Sequence, residues 1–331
     1  PAIFEKALGQ GGSYASDIAA MTAAGLDGKA VYERLAVRDI QQAADALRPV
    51  YDSSQGADGF VSLEVSPALA RDTQGTLAEA RRLWSTVSRP NLMVKVPGTP
   101  EGVPAIRQLI AEGINVNVTL LFSQAAYAAV ADAHIEGLAT RSARGEAVDR
   151  VAGVASFFVS RIDSAVDALI EAAMTRAQVT GAQRDALAAL RGKAAIANAK
   201  LAYQHYLALK GSERWQRLAA KGARPQRLLW ASTGSKNPAY RDVMYVEELV
   251  GADTVNTLPP ATLDAFLDHG VAKAAITSDI DAARRVLQAL QEQGISLDAV
   301  TDRLLAEGVA LFAEAFDKLL SAVRAKSAAM S

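Results

Sequence analysis

Short β-branched runs alternate with longer Ala/Leu-rich runs of helical period along most of the chain. The strand-like runs fall at residues 60–65, 92–96, 114–121, 151–158, 227–232 and 254–257. Helical stretches between them include 76–87, 103–112, 123–133 and 240–250. This alternation predicts an α/β fold, a parallel sheet with crossover helices that is either open and doubly wound or closed into a barrel. Neither Gly-x-Gly-x-x-Gly nor Gly-x-x-x-x-Gly-Lys-Ser/Thr follows the first clear strand, which argues against dinucleotide-binding and P-loop folds. Residues 162–226 read as helices without a strand, with apolar positions at Leu187, Leu190, Ile196, Leu201 and Leu207. The chain after Pro260 is helical to about Arg324, with a turn at Gln293-Gly294-Ile295 and a restart at Ser296-Leu297-Asp298. Residues 325–331 are expected to fray. With no fixed-period repeat or low-complexity linker, we expect one domain over 1–331, a helical insertion at 162–226 and C-terminal helices at 261–324.

Side chains of a strand alternate faces, and here the two faces differ. Asn115, Asn117 and Thr119 oppose Val116, Val118 and Leu120. Ser62 and Glu64 oppose Val61, Leu63 and Val65, while Met93 and Lys95 oppose Leu92, Val94 and Val96. One face suits packing against helices. The other grows polar toward the strands' C-terminal ends, where (β/α) barrels carry their active sites.

Composition narrows the function. Lys plus Arg number 35 against 36 Asp plus Glu, so no global charge draws the chain to nucleic acid or an anionic membrane. The absence of cysteine excludes disulfides, thiolate metal sites and cysteine nucleophiles. The three histidines, His134, His205 and His269, are too scattered for a metal site and receive no role. No apolar run approaches the ~18 residues of a membrane span, and Pro1-Ala2-Ile3-Phe4-Glu5-Lys6 is unlike a signal peptide. We expect a soluble, cytoplasmic enzyme or binding protein.

Lys95 places an ammonium in the apolar run Met93-Val94-Lys95-Val96-Pro97. A neutral amine is the form that attacks a carbonyl to make a Schiff base; the alternative is a strand-edge lysine reaching solvent. Glu64 could share a cavity with it and shuttle protons, or form a structural ion pair with it, or lie exposed at an edge. Asn117 and Thr119 could bind hydroxyls or a catalytic water, or make a self-satisfied polar layer; Asn115, deepest in the strand, reads as structural. Ser156 and Arg161 end one strand, and Ser232-Thr233-Gly234-Ser235-Lys236 ends another. A hydroxyl-rich Gly turn with a cation could seat a phosphate, although such turns are common and Arg161 could pair locally with Asp163. Thr99, Pro100 and Glu101 read as a helix start. Asp52, Asp58 and Lys200 are expected to be solvated at the surface.

Val61-Ser62-Leu63-Glu64-Val65-Ser66, Met93-Val94-Lys95-Val96-Pro97-Gly98-Thr99 and Asn117-Val118-Thr119-Leu120-Leu121-Phe122-Ser123 occur in this order. Ser156-Phe157-Phe158-Val159-Ser160-Arg161-Ile162-Asp163 and Trp230-Ala231-Ser232-Thr233 follow. Together they closely resemble transaldolases of the larger bacterial type, over essentially the whole chain. The resemblance implies a (β/α)8 TIM barrel and a cofactor-free class I aldol mechanism. It implies transfer of a dihydroxyacetone unit between sugar phosphates in the pentose phosphate pathway. Lys95 matches the Schiff-base lysine, Glu64 the glutamate that moves protons through a water, and Thr119 a residue holding that water. Asn117 and Ser156 match contacts to substrate hydroxyls. Arg161, Ser232 and Lys236 match the phosphate site, with Lys236 in place of a more familiar arginine; this exchanges a bidentate contact for a point charge.

The resemblance also implies two strands ahead of Pro1, the first bearing an acid/base aspartate for the bond being cleaved and the second ending in a turn asparagine. Asp17 and Asp27 lie in helix or loop sequence and do not match that aspartate. We expect an upstream segment of about 40 residues, since one βαβ unit takes about 30 or more. Alternatively, another chain supplies those strands, or the protein is damaged and inactive. Competing functions are a fructose-6-phosphate-type aldolase, which releases free dihydroxyacetone, and a non-catalytic sugar-phosphate-binding barrel. A homo-oligomer, and fusion to or association with another sugar-phosphate enzyme, are compatible with the sequence.

Overall fold

The computed structural model describes residues 14–328; the Pro1–Lys6 run, and residues 329–331 of the segment expected to fray, lie outside the described residues. All six expected strands form, each within two residues of its expected ends: β1 (Val61–Glu64), β2 (Leu92–Pro97), β3 (Val116–Leu121), β4 (Gly153–Phe158), β5 (Arg227–Ala231) and β6 (Thr254–Asn256). They make one parallel sheet in sequential order, β1-β2-β3-β4-β5-β6. Inward side chains from all six strands line one cavity of about 830 Å³, including Ser62, Met93, Asn117, Val154, Leu229 and Val255. The sheet is therefore strongly curled. Among the described residues β1 and β6 remain its edges, and no ladder closes it.

Two helices precede the sheet, α1 (Ala15–Ala23) and α2 (Gly28–Ser53). Asp27 caps α2 by accepting from Ala30 N at 2.8 Å. Ala36, Ile40, Ala43 and Leu47, at helical spacing, line the cavity from α2. Single crossover helices join the first four strands: α3 (Thr73–Val87), α4 (Gly102–Ala111) and α5 (Gln124–Ala143). Their starts follow from capping side chains, Asp72 to Gly75 N at 2.9 Å and Ser123 to Ala126 N at 3.0 Å. Ahead of α4, Thr99 Oγ1 accepts from Gly102 N at 3.0 Å, so the expected cap is present although the regular helix starts later. The buried face of α4 is Ala105, Ile106, Leu109 and Ile110, each isoleucine or leucine contributing about 1.5–3 kcal/mol by leaving water. Strands β2, β3 and β4 are covered on both faces, as helix-flanked parallel strands require.

Between β4 and β5 lie α6 (Ser160–Met174), α7 (Gly181–Ala188), α8 (Ala194–Gly211) and α9 (Glu213–Ala219). The expected helix at 240–250 contracts to α10 (Met244–Glu247). Asn237 is the reason: its side chain accepts from Ala239 N at 2.9 Å and its carbonyl from Tyr240 N at 3.0 Å, a turn that competes with the helix. After β6 come α11 (Pro260–His269), α12 (Ile280–Glu292) and α13 (Leu297–Ala328). The last runs unbroken past the fraying expected from Ala325.

Lys200 is not at the surface. It is 5 % exposed, and its ammonium lies 3.1 Å from a Glu248 carboxylate oxygen. Its position on the α8 face packed into the core, where Ala197, Ala199 and Ala202 are also buried, overrides the preference of lysine for water.

Candidate active site

Ladder pairing sets the centre of the site. Glu64 is level with Lys95 across β1 and β2, and Lys95 is level with Asn117 across β2 and β3. Because alternate residues share a face, all three side chains enter the cavity, with Ser62 and Met93 one step below. Among the described residues Glu64 and Lys95 make no ion pair within 4.0 Å, although the Lys95 charge still acts on the carboxyl. Burial pushes the Glu64 carboxyl above the usual carboxylate range, and the Lys95 charge pulls it partly back.

Asn117 joins three strands. It donates from Nδ2 to Ser62 Oγ at 3.0 Å and accepts at Oδ1 from Ser156 Oγ at 2.7 Å. One amide hydrogen of Asn117 is thereby used and one left. Thr119, two residues on and on the same face, is fully buried, and its hydroxyl has no partner among the described residues. Such an oxygen is costly unless something hydrogen-bonds to it. Leu120 follows with φ of 60°, and the β3–β4 pairing shifts between Val118 and Leu121. A left-handed leucine costs about 1–2 kcal/mol. Ser232 has the same conformation, φ 57°, at the end of β5. Strain of this kind gathers where surrounding structure holds a functional geometry.

The expected phosphate residues form a second group. Arg161 lies in the first turn of α6, its guanidinium over the Phe158 ring at 5.8 Å. It does not pair with Asp163, whose carboxylate instead accepts from Ala195 N at 2.7 Å and Tyr245 OH at 2.8 Å. Ser232 is tied to the residue beside Arg161: its carbonyl accepts from Ser160 N at 3.1 Å, and the two hydroxyls lie 3.1 Å apart. Lys236 stands exposed further along the loop. Arg161, Ser232 and Lys236 do not line the central cavity; they sit at and beyond the C-terminal ends of β4 and β5.

Asn115 is structural. Its amide donates to Pro90 O and Leu92 O, both at 3.0 Å, and accepts from Ala152 N at 2.9 Å. The histidines stay outside the site: His134 is buried against Arg224 O, His205 packs edge-on to Tyr127, and His269 bonds Asp242 and Asp268. Tyr32 and Phe316, from α2 and α13, reach the cavity and stack edge-on at 5.4 Å. Neither was singled out by the sequence.

No described helix is long and apolar enough to cross a membrane. Comparison with known proteins identifies the family. A family model described as transaldolase/fructose-6-phosphate aldolase matches residues 1–323. A transaldolase of Trichodesmium erythraeum is 49% identical over 329 residues, covering 98% of this chain and 86% of the relative. Transaldolase 2 of Nostoc punctiforme is 50% identical over 333 residues, covering 100% of this chain and 87% of the relative. A transaldolase of Thiobacillus denitrificans is 49% identical over 323 residues, covering 98% of this chain and 88% of the relative. The chain belongs to the transaldolase/fructose-6-phosphate aldolase family.

Proposed function

We propose that this protein is a transferase that moves a dihydroxyacetone unit from a ketose phosphate to an aldose phosphate through a Schiff base on Lys95. The observation that carries the reading is the placement of Glu64, Lys95 and Asn117 at one level on three adjacent strands inside one cavity. The overall exchange is sedoheptulose 7-phosphate plus glyceraldehyde 3-phosphate to erythrose 4-phosphate plus fructose 6-phosphate, in the cytoplasm.

Lys95 Nζ attacks the ketose carbonyl carbon to give a carbinolamine. Glu64, whose carboxyl burial shifts above its ordinary range, passes a proton through a water to the departing hydroxyl. Thr119, whose buried hydroxyl lacks a partner among the described residues, holds that water. In the resulting iminium the carbon–carbon bond beyond the hydroxylated carbon breaks. Its electron pair moves into the iminium, the released carbon becomes an aldehyde, and its hydroxyl proton goes to a base. The three-carbon enamine then attacks the aldehyde of the acceptor, and hydrolysis frees Lys95. Asn117 and Ser156 contact substrate hydroxyls. Arg161, Ser232 and Lys236 receive the phosphate.

Incubation with fructose 6-phosphate and borohydride, followed by peptide mass spectrometry, is expected to place a reduced dihydroxyacetone adduct on Lys95. No adduct there would refute the reading. Product formation that requires erythrose 4-phosphate distinguishes transfer from aldolase release of free dihydroxyacetone. Ligand-induced stabilisation without either product would identify a binding barrel.

A further inference from the structure

Asp163 and Asp167 lie one turn apart on α6, and both are buried. Among the described residues neither has a cation partner; neutral donors serve them instead. Asp163 accepts from Ala195 N and Tyr245 OH. Asp167 accepts from Gly192 N at 3.0 Å and from Tyr240 OH at 2.5 Å. Leaving two carboxylates in the interior without counter-charges costs stability, even when every oxygen is bonded. The arrangement does, however, fix direction, since each hydroxyl donates to one carboxylate oxygen and each backbone amide to the other.

What it fixes is the loop after β5. That loop leaves the sheet at Ser232, carries Lys236 and ends at Tyr240. Its near end is bonded to Ser160 and its far end to Asp167. Both anchors are on α6, seven residues and about 10.5 Å apart along the helix. Arg161 is carried by the same helix, beside the first anchor. Gly192 completes the clamp. It has φ of 68°, and a Cβ there would lie 2.7 Å from Tyr240 Cζ, so its backbone is pressed against the ring that Asp167 holds.

We propose that Asp167 is a positioning residue for the substrate's phosphoryl group: through Tyr240 it hangs the Lys236 loop on the helix that carries Arg161, so that the oxyanion seat is formed before substrate arrives. This rests on the reading of Arg161, Ser232 and Lys236 given above. Asp163 supports the same helix through Tyr245 and the start of α8. A seat that must instead be ordered by the ligand binds more weakly by the cost of that ordering.

The test uses Tyr240→Phe and Asp167→Asn with saturating fructose 6-phosphate as donor and either erythrose 4-phosphate or unphosphorylated erythrose as acceptor. Tyr240→Phe is expected to raise KM for erythrose 4-phosphate about five-fold, the scale of one hydrogen bond. Competitive inhibition by inorganic phosphate weakens by a similar factor, while kcat and the KM for erythrose stay put. Asp167→Asn, which keeps an acceptor for Gly192, lies between wild type and Asp167→Ala. Equal shifts with both acceptors show a merely structural role and overturn the proposal, as does no shift with either. Arg161→Ala is the control for the underlying reading. If it too leaves the preference for the phosphorylated acceptor intact, the seat itself is refuted; if it abolishes that preference while Tyr240→Phe does not, only the positioning role falls.

Discussion

Two buried groups titrate in opposite directions, and their opposition can be measured. Burial lowers His134 from 6.5 to about 4, with the Arg224 carbonyl pulling the other way. The unfolded chain thus takes up a proton below 6.5 while the folded protein stays neutral. The stability His134 contributes is full above 6.5 and is lost as pH falls toward about 4. Between pH 7 and 5 the loss is about 2 kcal/mol. Asp163 runs the other way. Burial raises it from 3.8 to about 6, against the bonds from Ala195 and Tyr245, so the folded protein takes the proton first. Its contribution is full below 3.8 and is lost as pH rises through about 6. From pH 7 to 5 Asp163 therefore returns about 1 kcal/mol. The two partly offset each other, leaving a small net loss. Urea unfolding followed by tryptophan fluorescence would separate them, using wild type, His134→Gln and Asp163→Asn at both pH values. Relative to wild type, His134→Gln should gain about 2 kcal/mol on going from pH 7 to 5, and Asp163→Asn should lose about 1 kcal/mol. Each figure is a difference of differences, so the surface carboxylates cancel. A variant-to-wild-type gap that stays constant with pH, for either substitution, would refute the burial argument for that group.

Glu64→Gln removes the buried acid but not the lysine; single-turnover kinetics should show kcat lowered by about 10²–10⁴, with Lys95 still trapped by borohydride on long incubation. Asn117→Ala leaves the Ser62 and Ser156 hydroxyls without the amide that joins them. A stability loss of about 1–3 kcal/mol should accompany a higher KM for ketose phosphate, read by urea midpoints and initial rates; a rate effect without a stability effect would contradict the bridging role. Gly153→Ala, at the first residue of β4, puts a Cβ 2.8 Å from His134 Nδ1. A cost of about 1–3 kcal/mol is expected in unfolding experiments, relieved in part by His134→Gln.

The strands and the polar face were legible because β3 alternates so cleanly: Val116, Val118 and Leu120 against Asn117 and Thr119 leaves one arrangement that buries the first set. Lys95 and Glu64 stood out for the related reason that a charge within an apolar run must either reach water or enter a cavity. What escaped was long-range pairing. Nothing local in sequence links Tyr240 to an aspartate 73 residues away. Lys200 escaped likewise, since its burial is decided by which face of α8 meets the core, and that helix is rich in alanine nearly all round. Ser62 appeared only as a polar position; its bond to Asn117 skips over β2 and exists only because the sheet curls.

Asn115 has a consequence for how this sheet is aligned. The alternation in β3 repeats every two residues, so a slide by two would keep valine and leucine toward the helices and an amide or hydroxyl toward the cavity. Hydrophobicity alone hardly opposes such a slip. Yet it would displace Asn117 by about 6.6 Å, two strand steps, from the level of Lys95. Asn115 forbids it by gripping the Pro90 and Leu92 carbonyls on one side and the Ala152 amide on the other. Its three bonds are satisfied only in one alignment of β2, β3 and β4. A residue at the far end of the strand, touching no substrate, thereby decides which amide faces the lysine.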